Sequence, residues 1–112
     1  MCDYHTWFYS DKTGYVIECT DCSHLQLGFG NILMTFEKGD FDLFAQYIKK
    51  CTDELAPDPE RHIKSISLKT PCKGISMLLT EAELYGLNDM VDRADTEMRS
   101  SALLNLFHNQ DR

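Results

Sequence analysis

The stretch Leu25-Gln26-Leu27-Gly28-Phe29-Gly30-Asn31-Ile32-Leu33-Met34-Thr35-Phe36 decides the fold. Its two halves alternate apolar with other residues, and Gly30-Asn31 between them is a two-residue hairpin signal. A turn that pairs Phe29 with Ile32 also pairs Leu27 with Met34 and Leu25 with Phe36. Because the side-chain period of a strand is two, all six apolar side chains then leave one face of the hairpin. An antiparallel sheet with one such face needs something to cover it.

The cover follows in the chain. Asp40 is placed to cap a helix, and Phe41, Phe44, Ala45, Ile48, Cys51 and Leu55 recur at three- and four-residue spacing, with Pro57 and Pro59 as the stop. A second pair of strands is expected over His62 to Lys69 and Ile75 to Leu79, joined by Thr70-Pro71-Cys72-Lys73-Gly74. Thr80, with Glu83 three residues on, makes a capping box for a second helix whose buried face is Leu84, Leu87, Val91, Ala94 and Met98. Adding 43 carries Leu25 to Leu68, Ile32 to Ile75, Met34 to Met77, Phe36 to Leu79, Phe41 to Leu84 and Phe44 to Leu87. The pattern suggests two ββα units whose helices cover one sheet, although two amphipathic segments of similar length would also match.

Upstream, Tyr4 to Tyr9 and Tyr15 to Cys19 flank the turn cluster Asp11-Lys12-Thr13-Gly14 and read as a further hairpin. The fold class expected is therefore α+β, with a mainly antiparallel sheet, an N-terminal β-hairpin and two ββα units. The 112 residues make one domain over 1–112, divided into the hairpin 1–24, a first unit 25–56 and a second unit 62–108.

The second helix outruns such a sheet. From Thr80 to about His108 it extends roughly 40 Å at 1.5 Å per residue. Leu103, Leu104, Leu106 and Phe107 then lie beyond the core of their own chain. Either the helix breaks near Ser100-Ser101 and folds back, or these side chains meet a second subunit. The expectation is a homodimer through the C-terminal helix, since a two-fold contact buries a self-complementary patch.

Charge narrows the partners. Eleven Lys and Arg against eighteen Asp and Glu give a net charge of −7. The densest basic stretch, Arg61, His62, Lys64, Lys69 and Lys73, is too sparse for a phosphate-tracking groove, so nucleic acid is not an expected partner. No apolar run reaches the ~20 residues of a membrane span, and no signal-like segment follows Met1. The expected compartment is the cytoplasm, where five cysteines are free thiols or metal ligands rather than a disulfide framework.

The chemistry-bearing cluster is N-terminal: Cys2-Asp3-Tyr4-His5, then Cys19-Thr20-Asp21-Cys22-Ser23-His24. Two cysteines separated by two residues can clasp one thiophilic metal from a tight turn, and the hairpin returns Cys2 and His5 towards them. The expected centre is one structural zinc held by Cys2, His5, Cys19 and Cys22, with His24 as the alternative fourth ligand. A five-residue turn would set His5 opposite Cys19, and a four-residue turn would set Thr6 there. Redox chemistry is not expected, because Cys19-x-x-Cys22 lies between strands and lacks the helix N-terminus that lowers a thiol pKa. Cys51 falls on the buried stripe of the first helix and Cys72 in a loop. No catalytic residues stand out.

Cys19-x-x-Cys22-x-x-x-Gln26-Leu27-x-Phe29-Gly30-Asn31, followed by Phe41-x-x-Phe44, resembles a small bacterial protein family of unknown function. The resemblance runs over nearly the whole length and implies no activity. That family is similar in carrying a Cys near its start but more often has Gly where Ser23 stands. The resulting expectation is a non-enzymatic domain that binds a protein partner, with a zinc-clamped hairpin. The alternative is a small-molecule binder or enzyme with a pocket between helices and sheet, near Gln26, Asn31 or His62.

Overall fold

The computed structural model describes residues 3–56 and 62–110. In chain order the elements are β1 (Tyr4–Ser10), β2 (Gly14–Cys19), β3 (Leu25–Phe29), β4 (Ile32–Phe36), α1 (Lys38–Asp53), β5 (Ile66–Lys69), β6 (Ser76–Leu79) and α2 (Glu81–Gln110). The hairpin that opened the argument forms in the register its alternation requires: Leu25 pairs with Phe36, Leu27 with Met34 and Phe29 with Ile32. Gly30 takes φ +59 at the first position of the turn, the conformation that a Gly-first two-residue turn needs there.

The first four strands form one antiparallel sheet in the order β1-β2-β3-β4. Its covered face carries Val16, Leu25, Leu27, Met34 and Phe36, all buried. Phe41, Phe44 and Ile48 of α1 close over them, with Phe36 edge-on to Phe41 and tilted against Phe44 at 5.0 Å. Leu84, Leu87, Met90, Val91 and Ala94 of α2 complete the same core. Where β2 meets β3, the backbone of Gly14 approaches so closely that an added Cβ would stand 1.9 Å from the Gly28 carbonyl oxygen, and φ there is +145. Only glycine fits that approach.

Three expectations are corrected. The strands of the second unit do not join the main sheet: β5 and β6 pair only with each other among the described residues, as a separate two-stranded sheet. They are also shorter than expected, because His62 to Ser65 stay outside the ladder. One reason is visible at β5, where the Lys69 backbone N–H donates to the Tyr47 hydroxyl of α1 rather than to a strand. Ile66, Leu68, Met77 and Leu79 nevertheless turn inwards and join the common core.

The third correction concerns the start of α1, which begins at Lys38. Glu37 is its N-cap residue and makes no side-chain cap bond, while Asp40 lies in the first turn. The helix ends at Asp53, and Pro57 and Pro59 lie outside the described residues. At α2 the capping box forms in both directions: Thr80 N–H donates to Glu83 Oε1 at 2.8 Å, and Glu83 N–H donates to Thr80 Oγ1 at 3.1 Å.

Candidate functional site

The N-terminal cluster is organised by a bulge. Near the turn, Ser10 pairs with Gly14, Tyr9 with Tyr15 and Phe8 with Val16, but the register slips at Trp7, so that Thr6 pairs with Ile17, His5 with Glu18 and Tyr4 with Cys19. One extra residue in β1 suffices. It lets the consecutive aromatics Trp7 and Phe8 both pack against the core, which strict alternation forbids. Trp7 Nε1 donates to Glu18 Oε1 at 2.9 Å, and the His5 ring sits edge-on to Trp7 with centroids 4.3 Å apart.

Neither anticipated register holds at Cys19, therefore, and His5 is not brought to it. His5 shares with Glu18 the face on which Leu25 and Leu27 lie, and it lines a groove with Asp92, Arg93, Thr96 and Glu97 of α2. Cys19 leaves from the other face. His24 takes that second face too, since Cys19 N–H donates to the His24 carbonyl and extends the β2–β3 pairing by one step.

Between them the chain closes a knuckle. Ser23 N–H donates to the Cys19 carbonyl, and Cys22 N–H donates to Cys19 Sγ at 3.5 Å. Ser23 is in the left-handed region at φ +63, where a residue with a Cβ is uncommon and glycine is favoured. Cys19 is 3% exposed, whereas Cys22 and His24 are open to solvent. The start of β1 is fastened to this loop, since the Asp3 carbonyl accepts both the Thr20 N–H and the Thr20 hydroxyl. Cys2, the remaining expected ligand, lies outside the described residues. Among the described residues no three His, Cys, Asp or Glu side chains gather closely enough to hold a metal ion.

One signal in the sequence could have exposed this arrangement. Adjacent Trp7 and Phe8 in an otherwise alternating strand point to a bulge.

The other feature is the far end of α2. The helix runs unbroken for 30 residues, so Ser100-Ser101 is no breakpoint. Leu103, Leu104, Leu106 and Phe107 are between 56% and 68% exposed. Stepping 3.6 residues per turn, their centre lies roughly 160° round the helix from the buried stripe of Leu84, Leu87, Val91 and Ala94. In line with that stripe stand Ser101, Ala102 and Asn105 instead. Asp89 with Arg93 and Asp95 with Arg99 pair one turn apart along the exposed side, acid first, the orientation that supports a helix.

Gln26, Asn31 and His62 do not converge. Gln26 sits in mid-sheet opposite Ile17 and Thr35, and Asn31 lies at the turn about 17 Å further along the strand direction. Asn31 lines a shallow depression of about 410 Å³ with Asp11, Lys12 and Tyr15. His62 is exposed ahead of β5. A groove of about 350 Å³ between α1 and α2 carries Asp42, Gln46, Lys49 and Asn88, and two of its charges, Asp95 and Arg99, pair with each other.

Fold and site thus define a small α+β domain, an antiparallel sheet under two helices with a two-cysteine knuckle at one end. The chain belongs to the family described as Family of unknown function (DUF6686), which it matches over residues 1–109. No curated protein and no solved structure matches it. Among the described residues, no helix is long and apolar enough to cross a membrane.

Proposed function

We propose that the protein is a non-enzymatic interaction module, and that its nearest partner is a second copy of itself, bound through the C-terminal end of α2. The observation that carries this reading is the change of side along α2. A helix whose apolar residues continued its own buried stripe could satisfy them by bending back onto the domain. Here they face away from it, so burial requires another molecule.

A two-fold pairing of two such helix ends needs only one self-complementary surface. Eight apolar side chains at roughly 60–120 Å² each would remove about 500–1,000 Å² from water. That is below the size of most tight interfaces, so the expected dimer is reversible and depends on concentration.

Light scattering over a dilution series tests the proposal. Wild-type protein is expected to shift from dimer towards monomer on dilution, and Leu103→Asp/Phe107→Asp to remain monomeric throughout. A wild-type chain that stays monomeric at the highest concentration, or a dimer indifferent to the double substitution, would refute it.

A further inference from the structure

The main sheet has two edges, and the fold treats them differently. β1 carries the bulge at Trp7, and α2 packs beside it with Asp92, Arg93 and Glu97 on the shared groove. Bulges, charges and a covering helix are devices that stop an edge strand from pairing again. β4 closes the other end of the sheet and has none of the three. Ile32-Leu33-Met34-Thr35-Phe36 contains no charge and no proline, and its register with β3 is unbroken.

The hairpin decides which backbone groups of β4 are spare. A two-residue turn makes Phe29 and Ile32 a hydrogen-bonded pair, and bonded and non-bonded pairs alternate from there. Ile32, Met34 and Phe36 therefore bond to β3, whereas the N–H and C=O of Leu33 and Thr35 point away from it. Among the described residues no hydrogen bond reaches those groups. Beside them runs a groove of about 210 Å³, with Ile32 to Thr35 on one side and Thr70, Pro71, Cys72 and Ile75 of the β5–β6 connection on the other. None of these side chains is charged, and Leu33 and Ile75 are more than half exposed. From Ser65 to Thr80 the charged residues are Lys69 and Lys73, both basic in a chain of net charge −7.

We propose that this edge binds an extended peptide segment of a partner protein, which adds to β4 as a further strand of the main sheet. The segment has an uncharged centre in the groove and an acidic residue at its flank. The spare groups of Leu33 and Thr35 specify a strand, because another extended backbone presents donors and acceptors at the same repeat. The uncharged walls reject a charged centre, which would lose water and gain no partner. Lys69 and Lys73 favour the acidic flank. The β5–β6 connection walls the groove on its far side, so a single strand enters, whereas the β4 of a second copy is backed by its own sheet and is too bulky. The edge shares no residue with the far end of α2, and its binding does not depend on self-association.

The test uses the full chain, as wild type and as Leu103→Asp/Phe107→Asp, with the synthetic peptide acetyl-Asp-Thr-Val-Thr-Val-Thr-amide. Both proteins should bind it equally. By NMR, saturating peptide should slow hydrogen exchange at the Leu33 and Thr35 amides about tenfold or more. Met34, paired with Leu27, is the internal control and should not change. Thr35→Pro removes a spare donor without touching the β3 ladder, so it should fold normally by circular dichroism and bind about tenfold weaker. Leu33→Lys, a residue that edge strands tolerate, should weaken binding by a similar factor. The peptide N-methylated throughout keeps its side chains, loses its donors and should not bind. Lysine in place of its aspartate should weaken binding a few-fold.

Unchanged exchange at Leu33 and Thr35, equal binding of the N-methylated peptide, or full affinity in folded Thr35→Pro would overturn the site. Equal or tighter binding of the lysine peptide would overturn the acidic flank. Protection of Leu33 and Thr35 that rises with protein concentration, without peptide and in Leu103→Asp/Phe107→Asp, would overturn the peptide as occupant and assign the edge to a second copy.

Discussion

The two ββα units share a pattern of burial and differ in almost everything that is not burial. Leu25 and Leu68, Met34 and Met77, Phe36 and Leu79, Phe41 and Leu84, and Phe44 and Leu87 are buried pair by pair at a spacing of 43. Cross-strand partners are not conserved between the units. Leu25 pairs with Phe36, whereas Leu68 pairs with Met77, and Ile66 takes Leu79. The slip is two residues, and an even slip leaves every side chain on its original face.

The connections account for the difference. Two residues join β3 to β4. Six join β5 to β6, where the Thr70 hydroxyl donates to the Ile75 carbonyl and its oxygen accepts the Cys72 N–H. Apolar periodicity thus sets which face is buried, and turn length sets which residues meet.

The largest expected effects would test whether the units share one core. Phe41 and Leu84 are both fully buried at matching positions. Phe41→Ala is expected to cost about 3–5 kcal/mol and Leu84→Ala about 2–5 kcal/mol in urea unfolding. Both should retain a single transition by fluorescence and by circular dichroism. Two separated transitions in either variant would mean that the units fold independently.

The next effect sharpens the contrast between the helix starts. Thr80→Ala removes one arm of the capping box and should cost about 1 kcal/mol. Glu37→Ser supplies α1 with the side-chain cap it lacks and should gain about 0.5–1 kcal/mol, read as a rise in the urea midpoint.

The same box carries a pH signature. Accepting the Thr80 backbone N–H holds the Glu83 carboxyl below its usual range, against a smaller opposing effect of burial and with further help from Lys64. A carboxyl whose pKa is lower in the folded state stabilises the fold above the ordinary carboxylate pKa. That contribution is lost as pH falls through the depressed value. Urea midpoints measured downwards from neutral pH should therefore decline less steeply in Glu83→Gln than in the wild type.

Smallest of all is the intrinsic effect at the helix end. Leu103→Asp/Phe107→Asp removes nothing from the monomer's core. In dilute monomeric solution it should shift stability by no more than about 0.5 kcal/mol.

Much of this was legible because alternation and helical spacing are strong signals. The β3–β4 register, the faces of both helices, the capping box of α2 and its excess length all follow from them. What escaped depends on single backbone decisions. One extra residue at Trp7 moved His5 off the face of Cys19, and the registers expected for that hairpin assumed an unbroken alternation that the adjacent Trp7 and Phe8 do not keep. At the separate β5–β6 ribbon the Lys69 backbone N–H meets a side-chain acceptor, the Tyr47 hydroxyl, 22 residues away in sequence, and strand periodicity does not report such a partner. The cysteine knuckle was visible as a spacing, but the conformation of Ser23 and the amide directed at Cys19 Sγ were not.

The isolation of β5–β6 also orders the molecule in time. A two-stranded ribbon of four residues per strand has little stability alone. It is held by Leu68, Met77 and Leu79, whose neighbours arrive from distant parts of the chain. The ribbon is therefore expected to form after the main sheet and the helices have assembled. Its amide hydrogens should exchange with solvent through partial openings that leave β2 and β3 shut, while those of the central strands should wait for the whole domain to unfold.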